Sequence, residues 1–360
     1  MSALFEPCTL RSLTIPNRVW MAPMCQYSAA DTGPDTGVAG DWHFTHYTTR
    51  AVGGSGLILQ EATAVSPEGR ISPYDLGLWN DRQAESLSRI TRFVTDLGAV
   101  PGIQLTHAGR KSSVDRPWLG NRPLDAGSGG WRPEGPSEVP YSPAHQVPAA
   151  MSEERIAEVT AQFARAARRA LDAGFKVAEI HGAHGYLLGQ FLSPVSNRRT
   201  DAYGGDHAGR TRFPLEVVDA VRAVWPSELP LFFRISATEW LPDGGWTIED
   251  TVRFTADLRA HGVDLLDVSS GGNVPGVEIP LRPGYQVPFA ARVRAGTGMP
   301  VAAVGLITEP EHAEGIVASG EADAVLLGRQ LLRDPYWPRR AARELSASGA
   351  ELPPQYRRAA

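Results

Sequence analysis

Eight short apolar segments, each followed by a stretch with helical spacing, constrain the fold of this chain more than any other feature. The segment 56–62 is an almost uninterrupted apolar run, which is typical of a strand buried on both faces of a parallel sheet. The stretch 81–97 carries apolar residues at helical spacing, and Gly98 ends the pattern. Strands that alternate with helices in this way predict an α/β fold, a (β/α)8 or TIM barrel. The predicted strands cover 18–24, 56–62, 100–105, 176–180, 231–236, 265–270, 300–305 and 322–329, and the predicted helices cover about 43–53, 81–97, 151–173, 212–224, 247–261, 286–296, 309–319 and 335–346.

Three segments fall outside this alternation. Residues 4–15 are predicted to form a short N-terminal hairpin that caps the barrel. Residues 112–150 are dense in Pro, Gly, Ser and Trp and follow the third strand. Long loops of this kind are usually functional, so we predict a loop insertion over the active-site face. The segment 346–360 is predicted to be a polar C-terminal tail, and the whole of 1–360 a single domain.

Composition and charge narrow the class of protein. Of the 360 residues, 42% are hydrophobic, and the net charge of −5 gives no electrostatic reason to expect a nucleic-acid partner. No apolar run approaches the roughly 18 residues of a membrane span. Residues 1–7 lack the basic and then apolar order of a signal peptide, and two cysteines give neither a disulfide framework nor a metal quartet. We therefore expect a cytoplasmic protein without a membrane partner.

The segment 178–205 carries the densest chemistry. Its apolar start delivers His181, His184 and Tyr186 into a glycine-bearing turn at the predicted end of the fourth strand. Ligands of parallel α/β folds bind at the carboxyl ends of the strands. Two imidazoles and a phenol there can donate hydrogen bonds and one proton, which suits a substrate oxygen that gains negative charge.

The residues alone leave alternatives open for this pair of histidines. A His-x-x-His pair can serve a structural role or bind a metal, and a lone tyrosine such as Tyr186 is more often a packed aromatic. The predicted strand ends form a polar ring with little acid, and paired carboxylates for hydrolysis are not evident. A metal-dependent barrel hydrolase that uses His181 and His184 is therefore the weaker alternative, and we expect no metal. A non-catalytic, ligand-binding barrel is a further alternative, against which the position of Tyr186 argues.

The seventh and eighth strands end in a pattern that favours a phosphorylated cofactor. Gly305 permits close approach of the backbone, and Gly328 is followed by the cation of Arg329. Loops after these two strands commonly bind phosphate in barrels of this class. The chain has no Gly-x-Gly-x-x-Gly after a strand and no P-loop sequence, so a mononucleotide such as FMN fits better than a dinucleotide or a nucleoside triphosphate.

Three further strand-end residues have side chains that could contact a cofactor. Arg234 is either the partner of a neighbouring carboxylate or the counter-charge for an anion on a cofactor ring. Gln104 can donate and accept at once, which suits the edge of a pyrimidine-like ring. Cys25 is equally well explained as a small buried hydrophobic residue, and the sequence does not choose.

Taken together, these motifs resemble the Old Yellow Enzyme family of FMN-dependent ene-reductases, in the bacterial thermophilic-like branch that includes the xenobiotic reductases. The resemblance covers essentially the whole chain. It is carried by the segments 22–27 (Ala-Pro-Met-Cys-Gln-Tyr), 61–65, 102–105, 107–111 (His-Ala-Gly-Arg-Lys), 178–205 and 328–335.

The resemblance implies an enzyme in which NADPH or NADH reduces a tightly bound FMN, which then reduces an activated alkene, an α,β-unsaturated carbonyl or nitro compound. It also implies a homodimer or homotetramer. The implied roles are as follows: Pro23, Met24 and Cys25 line the flavin ring, Ala62 and Gln104 bond its polar edge, Arg234 faces the anionic reduced flavin, Gly305, Gly328 and Arg329 hold the phosphate, His181 and His184 bind the substrate oxygen, Tyr186 donates the proton, Tyr27 positions the substrate, and Arg358 reaches a neighbouring subunit's site.

Overall fold

A closed barrel of eight parallel strands forms the centre of the structure, a computed structural model that describes residues 2–349 and 351–359. Helices surround the barrel, so the predicted (β/α)8 fold is confirmed. In chain order the strands are β1 (Cys8–Leu10), β2 (Leu13–Ile15), β3 (Val19–Met21), β4 (Leu57–Ala64), β5 (Val100–Thr106), β6 (Glu134–Gly135), β7 (Ala149–Ala150), β8 (Val177–Gly182), β9 (Leu231–Ser236), β10 (Leu265–Ser269), β11 (Val301–Val304) and β12 (Ala324–Leu327). The helices are α1 (Asp41–Val52), α2 (Asp81–Asp96), α3 (Glu153–Asp172), α4 (Leu187–Leu192), α5 (His207–Val224), α6 (Ile248–Ala260), α7 (Val287–Thr297), α8 (Pro310–Ala318), α9 (Arg329–Arg333) and α10 (Trp337–Glu344).

The barrel places the carboxyl ends of its strands on one rim. Its strands follow the order β3-β4-β5-β8-β9-β10-β11-β12, and β12 closes the ring on β3 with Val325 opposite Val19. All eight residues of β4 are buried, which explains its mostly apolar sequence, interrupted by Gln60, Glu61 and Thr63. Because every strand of the barrel is parallel to its neighbours, residues that end different strands meet at this rim.

Two apolar cores flank the strands. One lies between the barrel and its helices, and the other fills the barrel interior, where the rings of Trp20 and Phe232 stack with centroids 5.8 Å apart. Residues of the antiparallel hairpin β1–β2 pack into the interior core. Arg11 ties the hairpin to the start of β10 through a 2.7 Å ion pair with Asp264. The hairpin therefore closes the end of the barrel opposite the rim.

The long segment 112–150 is irregular but is tied to the body of the protein. It contains two short 3₁₀ turns and the two-residue strands β6 and β7. The indole of Trp131 donates a 2.9 Å hydrogen bond to the backbone oxygen of Glu68, and the guanidinium of Arg70 lies 4.9 Å from the centroid of the Trp131 ring. These contacts give the loop fixed anchors that its composition did not predict.

Several element boundaries differ from the predictions. The helix predicted from 212 begins at His207, because the side chain of Asp206 accepts from the Gly209 N–H and caps it. The first barrel strand ends at Met21, so 22–24 already belong to the rim. Of the predicted tail 346–360, Ala350 and Ala360 lie outside the described residues. Within the described ranges, every helix is too short or too polar to cross a bilayer.

Candidate active site

The turn after β8 brings the two histidines and the tyrosine of the central motif together. His181 is the fifth residue of β8, and His184 follows in the turn with a φ of 58°. Residues other than glycine rarely adopt this left-handed conformation, which is often found at functional sites. The ring centroid of His181 lies 5.2 Å from that of His184 and 5.1 Å from that of Tyr186. The structure therefore assembles the three side chains to which the sequence assigned the reaction.

These three groups are uncharged donors in their surroundings. Burial lowers the pKa of His181 and of His184 well below the usual range of histidine, and it raises the pKa of Tyr186 well above the usual range of tyrosine. Nδ1 of His181 accepts a 3.3 Å hydrogen bond from the backbone N–H of Ala183, so its proton resides on Nε2. The turn thus presents N–H and O–H donors, an arrangement that suits an oxygen on which negative charge develops.

His184 is held by the last residues of β9 and β10 and by the loop that follows β10. Its backbone N–H donates to Oγ of Ser236 at 2.9 Å, and its Nε2 lies 2.7 Å from Oγ of Ser269. Gly272, with a φ of 94°, packs so closely that a Cβ there would lie 2.7 Å from Cα of His184. These segments therefore interlock around the backbone of His184, and the close approach requires glycine.

Lys111 belongs to this group, although the sequence analysis did not assign it a role. Its Nζ donates 2.8 Å hydrogen bonds to the backbone oxygens of His184 and Gly272. The same nitrogen lies 5.1 Å from the ring centroid of Tyr186 and 4.6 Å from that of Tyr141. Burial lowers the pKa of Lys111 to about 7, with a neighbouring guanidinium acting in the same direction. A lysine just after a strand is usually on the surface, which is why its position alone gave no signal.

A buried carboxyl group on β4 fixes the segment that follows β3. Glu61 accepts hydrogen bonds of 2.7 Å from the backbone N–H of Gln26 and from the hydroxyl of Tyr47. Burial raises the pKa of Glu61 to about 8. Burial also raises the pKa of the Cys25 thiol, which is therefore protonated, and Tyr27 adopts a φ of 50°. The segment is thus held in one strained conformation at the rim.

The residues of this segment face the same region as the turn after β8. Pro23 and Met24 are half-buried, and Cys25 and Tyr27 pack with Tyr186 against one small apolar cluster. The cluster consists of Ile71, Ala108 and Val114. The exposed ring of Trp118, from the loop 112–150, lies 6.0 Å from the Tyr27 ring in an edge-on arrangement.

A polar layer lies beneath the rim and holds two acids that the predicted ring of strand ends did not include. Gln104 is in register with Ala62, just past a β-bulge, and its Nε2 donates a 2.8 Å hydrogen bond to Glu179 Oε1. Nε of Arg234 lies 3.0 Å from Oδ2 of Asp267. The carboxylate partner considered for Arg234 is therefore present. Glu179 and Asp267 were missed, although an acid within an otherwise apolar strand was a visible signal.

A cavity of about 170 Å³ opens where β11 and β12 end. Gly305, Gly328 and Arg329, the residues predicted to hold a phosphate, all line it. Gln286, at the start of α7, also lines it and was missed because nothing in its local sequence distinguishes it. Met24 reaches this region, because a Cβ on Gly328 would lie 3.6 Å from its sulfur. The ends of β3, β11 and β12 thus share one face of the site.

Arg358 is not gathered with the other predicted residues. It lies exposed in the 3₁₀ segment Pro354–Ala359, and it does not line the cavity at the ends of β11 and β12. A role in a neighbouring subunit stays a prediction.

Within the described residues, one cluster has the geometry of a metal site, and it does not include His181 or His184. Glu68, His107 and Glu134 bring three ligand atoms within 4.8 Å of one another. Arg155 already forms ion pairs with both carboxylates of this cluster, so their charge is compensated from within the chain. The arrangement therefore gives no support to a hydrolase that binds a metal through His181 and His184.

Comparison with known proteins identifies the relatives of this chain. The family model for NADH:flavin oxidoreductases and NADH oxidases matches residues 3–348. An NADPH dehydrogenase of Geobacillus sp. (strain WCH70) is 48% identical over 345 residues, which cover 96% of this chain and 95% of the relative. An NADPH dehydrogenase of Geobacillus thermodenitrificans (strain NG80-2) is 47% identical over 99% of this chain and 98% of the relative.

Solved structures agree with the sequence relatives. Morphinone reductase superposes with a TM-score of 0.79 at 30% identity, over 98% of this chain and 92% of the other. A 2-naphthoyl-CoA reductase complex superposes with a TM-score of 0.84 at 26% identity, and there this chain spans 52% of the longer protein.

These findings confirm the resemblance to Old Yellow Enzymes and the expectation of an oxidoreductase that uses FMN. A family match that spans residues 3–348, relatives of nearly equal length and the eight-stranded barrel lead to the same assignment. The chain belongs to the NADH:flavin oxidoreductase / NADH oxidase family of FMN-dependent enzymes.

Proposed function

We propose that this protein is a cytoplasmic ene-reductase, active as a homodimer or homotetramer, that oxidises NADPH or NADH and reduces alkenes activated by a carbonyl or nitro group. The proposal rests on one observation: His181, His184 and Tyr186 converge as uncharged donors on the rim of an FMN-family barrel. The names of the relatives, NADPH dehydrogenase and morphinone reductase, support the reductant and the type of reaction.

The residues around the rim fit FMN at its two ends. At one end, Gly305, Gly328 and Arg329 line a cavity that offers a cation and close approach to the backbone, as a phosphate requires. At the other end, the amide nitrogen of Gln104 is engaged by Glu179, which leaves the amide oxygen to accept from a ring N–H.

Five further rim residues complete the proposed cofactor site. The backbone of Ala62 and the guanidinium of Arg234 would contact the polar edge of the flavin, with Arg234 stabilising the anion formed on reduction. Met24 and Cys25, with Pro23 before them, would line the ring, and the neutral thiol of Cys25 would tune its potential. FMN supplies the hydride acceptor and donor, and the chain supplies position and electrostatics.

Substrate activation is the task of the turn after β8. The Nε2–H of His181 and a ring N–H of His184 would donate to the substrate oxygen and stabilise the negative charge that develops there. The hydroxyl of Tyr186 would then protonate the α-carbon, since its raised pKa keeps the proton in place until the carbon becomes basic. Tyr27, which packs against the same apolar cluster as Tyr186, would help to position the substrate, and Arg358 would enter from a second subunit.

Two experiments test this function. The purified protein should show the absorption of bound oxidised flavin, which bleaches with NADPH under anaerobic conditions and returns when an enone is added. A protein that remains colourless after incubation with FMN would refute the proposal.

The second experiment separates the two half-reactions by anaerobic stopped flow. Tyr186→Phe should leave flavin reduction by NADPH unchanged and slow reoxidation by an enone by about 10²–10⁴-fold, the usual contribution of a general acid. Tyr203→Phe is the matched control, because that phenol bonds to Glu216 on α5. Equal losses in both half-reactions of Tyr186→Phe would exclude the acid role.

A further inference from the structure

Two buried carboxyl groups meet inside the barrel, directly beneath the rim. Glu179 on β8 and Asp267 on β10 are both 0% exposed. The strands β8 and β10 are separated by β9, so side chains from them can interact only across the barrel interior. Arg234, from β9 between them, lies 3.0 Å from Asp267, and Gln104 from β5 donates to Glu179. Two acids, one cation and one amide therefore share a single water-poor space.

If both acids are ionised, this cluster contains more hydrogen-bond acceptors than donors. Oε2 of Glu179 and Oδ1 of Asp267 lack a donor among the described residues, and Oδ2 of Asp267 lies in the ion pair with Arg234 without forming an aligned hydrogen bond. Two facing carboxylates are acceptors only, and a net negative charge buried at this depth is costly. One proton between Glu179 and Asp267 converts the repulsion into a short O–H···O⁻ hydrogen bond and leaves a neutral pair of Arg234 and Asp267.

The surroundings decide which acid carries the proton. Oε1 of Glu179 accepts from the neutral amide of Gln104, whereas Asp267 lies next to the guanidinium of Arg234. Burial, and after it the negative charge of Asp267, raises the pKa of Glu179 well above its usual range. Burial also raises the pKa of Asp267, but the positive charge of Arg234 opposes that rise. The charged groups that face Glu179 are Arg234 from β9 and Asp267 from β10, with the neutral Gln104 on the β5 side.

We infer that Glu179 is a neutral carboxylic acid that donates its proton to Asp267 and acts as a positioning residue for the cofactor site. Its carbonyl oxygen engages the amide nitrogen of Gln104 and so turns the amide oxygen of Gln104 towards the cofactor. Because Glu179 keeps its proton, it adds no negative charge below the cofactor, where the pair of Arg234 and Asp267 is neutral. This inference deepens the proposed function and rests on it for the position of FMN.

Isosteric substitutions test the inference in the holoenzyme, because glutamine reproduces every hydrogen bond of a neutral Glu179. In Glu179→Gln, the amide oxygen accepts from Gln104 and the NH₂ group donates to Asp267. This variant should fold, bind FMN within about twofold of the wild type and keep the midpoint potential of the flavin at pH 7. Asp267→Asn, which removes the ionised partner of Arg234, should weaken FMN binding by more than about tenfold and raise the potential.

The pH profile of the potential gives a readout that a merely structural residue would not change. Ionisation of Glu179 at high pH adds a negative charge beneath the flavin, so the wild-type potential should then fall more steeply with pH. Glu179→Gln should follow the wild-type curve at lower pH and lack the additional fall. The inference would be overturned if Glu179→Gln had a higher potential than the wild type at pH 7 or failed to fold with FMN. Unchanged FMN binding and potential in Asp267→Asn would overturn it as well.

A second measurement does not depend on FMN or on turnover. In protein labelled with carbon-13 at glutamate carboxyl carbons, the resonance lost in Glu179→Gln should have the chemical shift of a protonated acid at pH 7. Glu61→Gln serves to assign the other buried glutamate whose pKa is raised. A shift typical of an ionised carboxylate at pH 7 would overturn the inference even if the ene-reductase function were established. If the protein proved not to bind FMN, the same spectrum would still decide the protonation of Glu179.

Discussion

Gly272→Ala tests whether the loop after β10 fixes the position of His184. Gly272 has a φ of 94°, and a Cβ at this position would lie 2.7 Å from Cα and 2.8 Å from the carbonyl carbon and oxygen of His184. These are backbone atoms, so no side-chain rotation can relieve the contact. The methyl group must displace either its own loop or the turn that carries the histidine.

The loss of stability in Gly272→Ala has two parts, and the same substitution at a second glycine distinguishes them. Alanine in the left-handed region costs about 1–2 kcal/mol wherever it occurs. Overpacking against a rigid neighbour adds about 1–3 kcal/mol. Gly276, in the same loop with a φ of 73°, has nothing within 4 Å of the point that a Cβ would occupy, so Gly276→Ala carries only the first part. We therefore expect Gly276→Ala to lose about 1–2 kcal/mol of stability and Gly272→Ala about 2–5 kcal/mol.

Two assays on the FMN-saturated proteins check these values. Denaturant midpoints, compared at equal slope, give the difference in the free energy of unfolding. Titration with a phenol, followed by the change in flavin absorption, reports the position of His184. Gly272→Ala should bind the phenol at least about tenfold more weakly, since small displacements in a site are costly, whereas Gly276→Ala should bind it as the wild type does. Equal stability losses in the two variants, or unchanged phenol affinity in Gly272→Ala, would refute the idea that this contact positions the histidine.

Three further predictions follow from contacts in the site. Tyr47→Phe should lower the free energy of unfolding by about 1–3 kcal/mol in denaturant titrations, because it leaves both the carboxyl and the backbone N–H of Glu61 without the hydroxyl they share; an unchanged midpoint would contradict this. Lys111 loses its proton as the pH rises through about 7, so the rate of enone reduction in single turnovers should fall across that range, and Lys111→Met should lack this inflection; persistence of the inflection would assign it to another group. Arg329→Gln should weaken FMN binding by about tenfold or more in equilibrium dialysis, as expected for loss of a charge-assisted contact with phosphate, and wild-type affinity would remove Arg329 from the cofactor site.

The barrel could be predicted because its local signals agree with its tertiary structure. The strands are mostly apolar since both faces are covered, and glycines such as Gly98 and Gly174 follow the helices in left-handed conformations. The start of α5 was misplaced for a local reason. Pro214 is tolerated best in a first helical turn, which favours a start near 212, but in the structure Pro214 lies inside a helix capped by Asp206.

The candidate site could be predicted only where a residue ends a strand. His181, Gly305 and Gly328 were found by that rule, since the barrel itself fixes where such residues lie. The pairing of Glu179 with Asp267 could not be found in this way, because the partners are far apart in sequence and meet only across the barrel interior.

Other contributions depend on packing that periodicity does not reveal. The amine of Lys111 reaches two backbone oxygens of other loops, and Gln286 enters the rim from the start of a helix. Their positions follow from the three-dimensional arrangement of loops, for which a single sequence carries no periodic signal.

The stacked rings of Trp20 and Phe232 and the hairpin below them fill the lower part of the barrel, so within the residues that the structure describes this end is closed to a ligand at the rim. A molecule that binds at the rim therefore cannot leave through the barrel interior. Under the proposed function, NADPH and the alkene would therefore compete for access to the site from the rim and could not occupy it together. A high concentration of either substrate would hinder binding of the other. Turnover should therefore slow when the concentration of NADPH greatly exceeds that of the alkene.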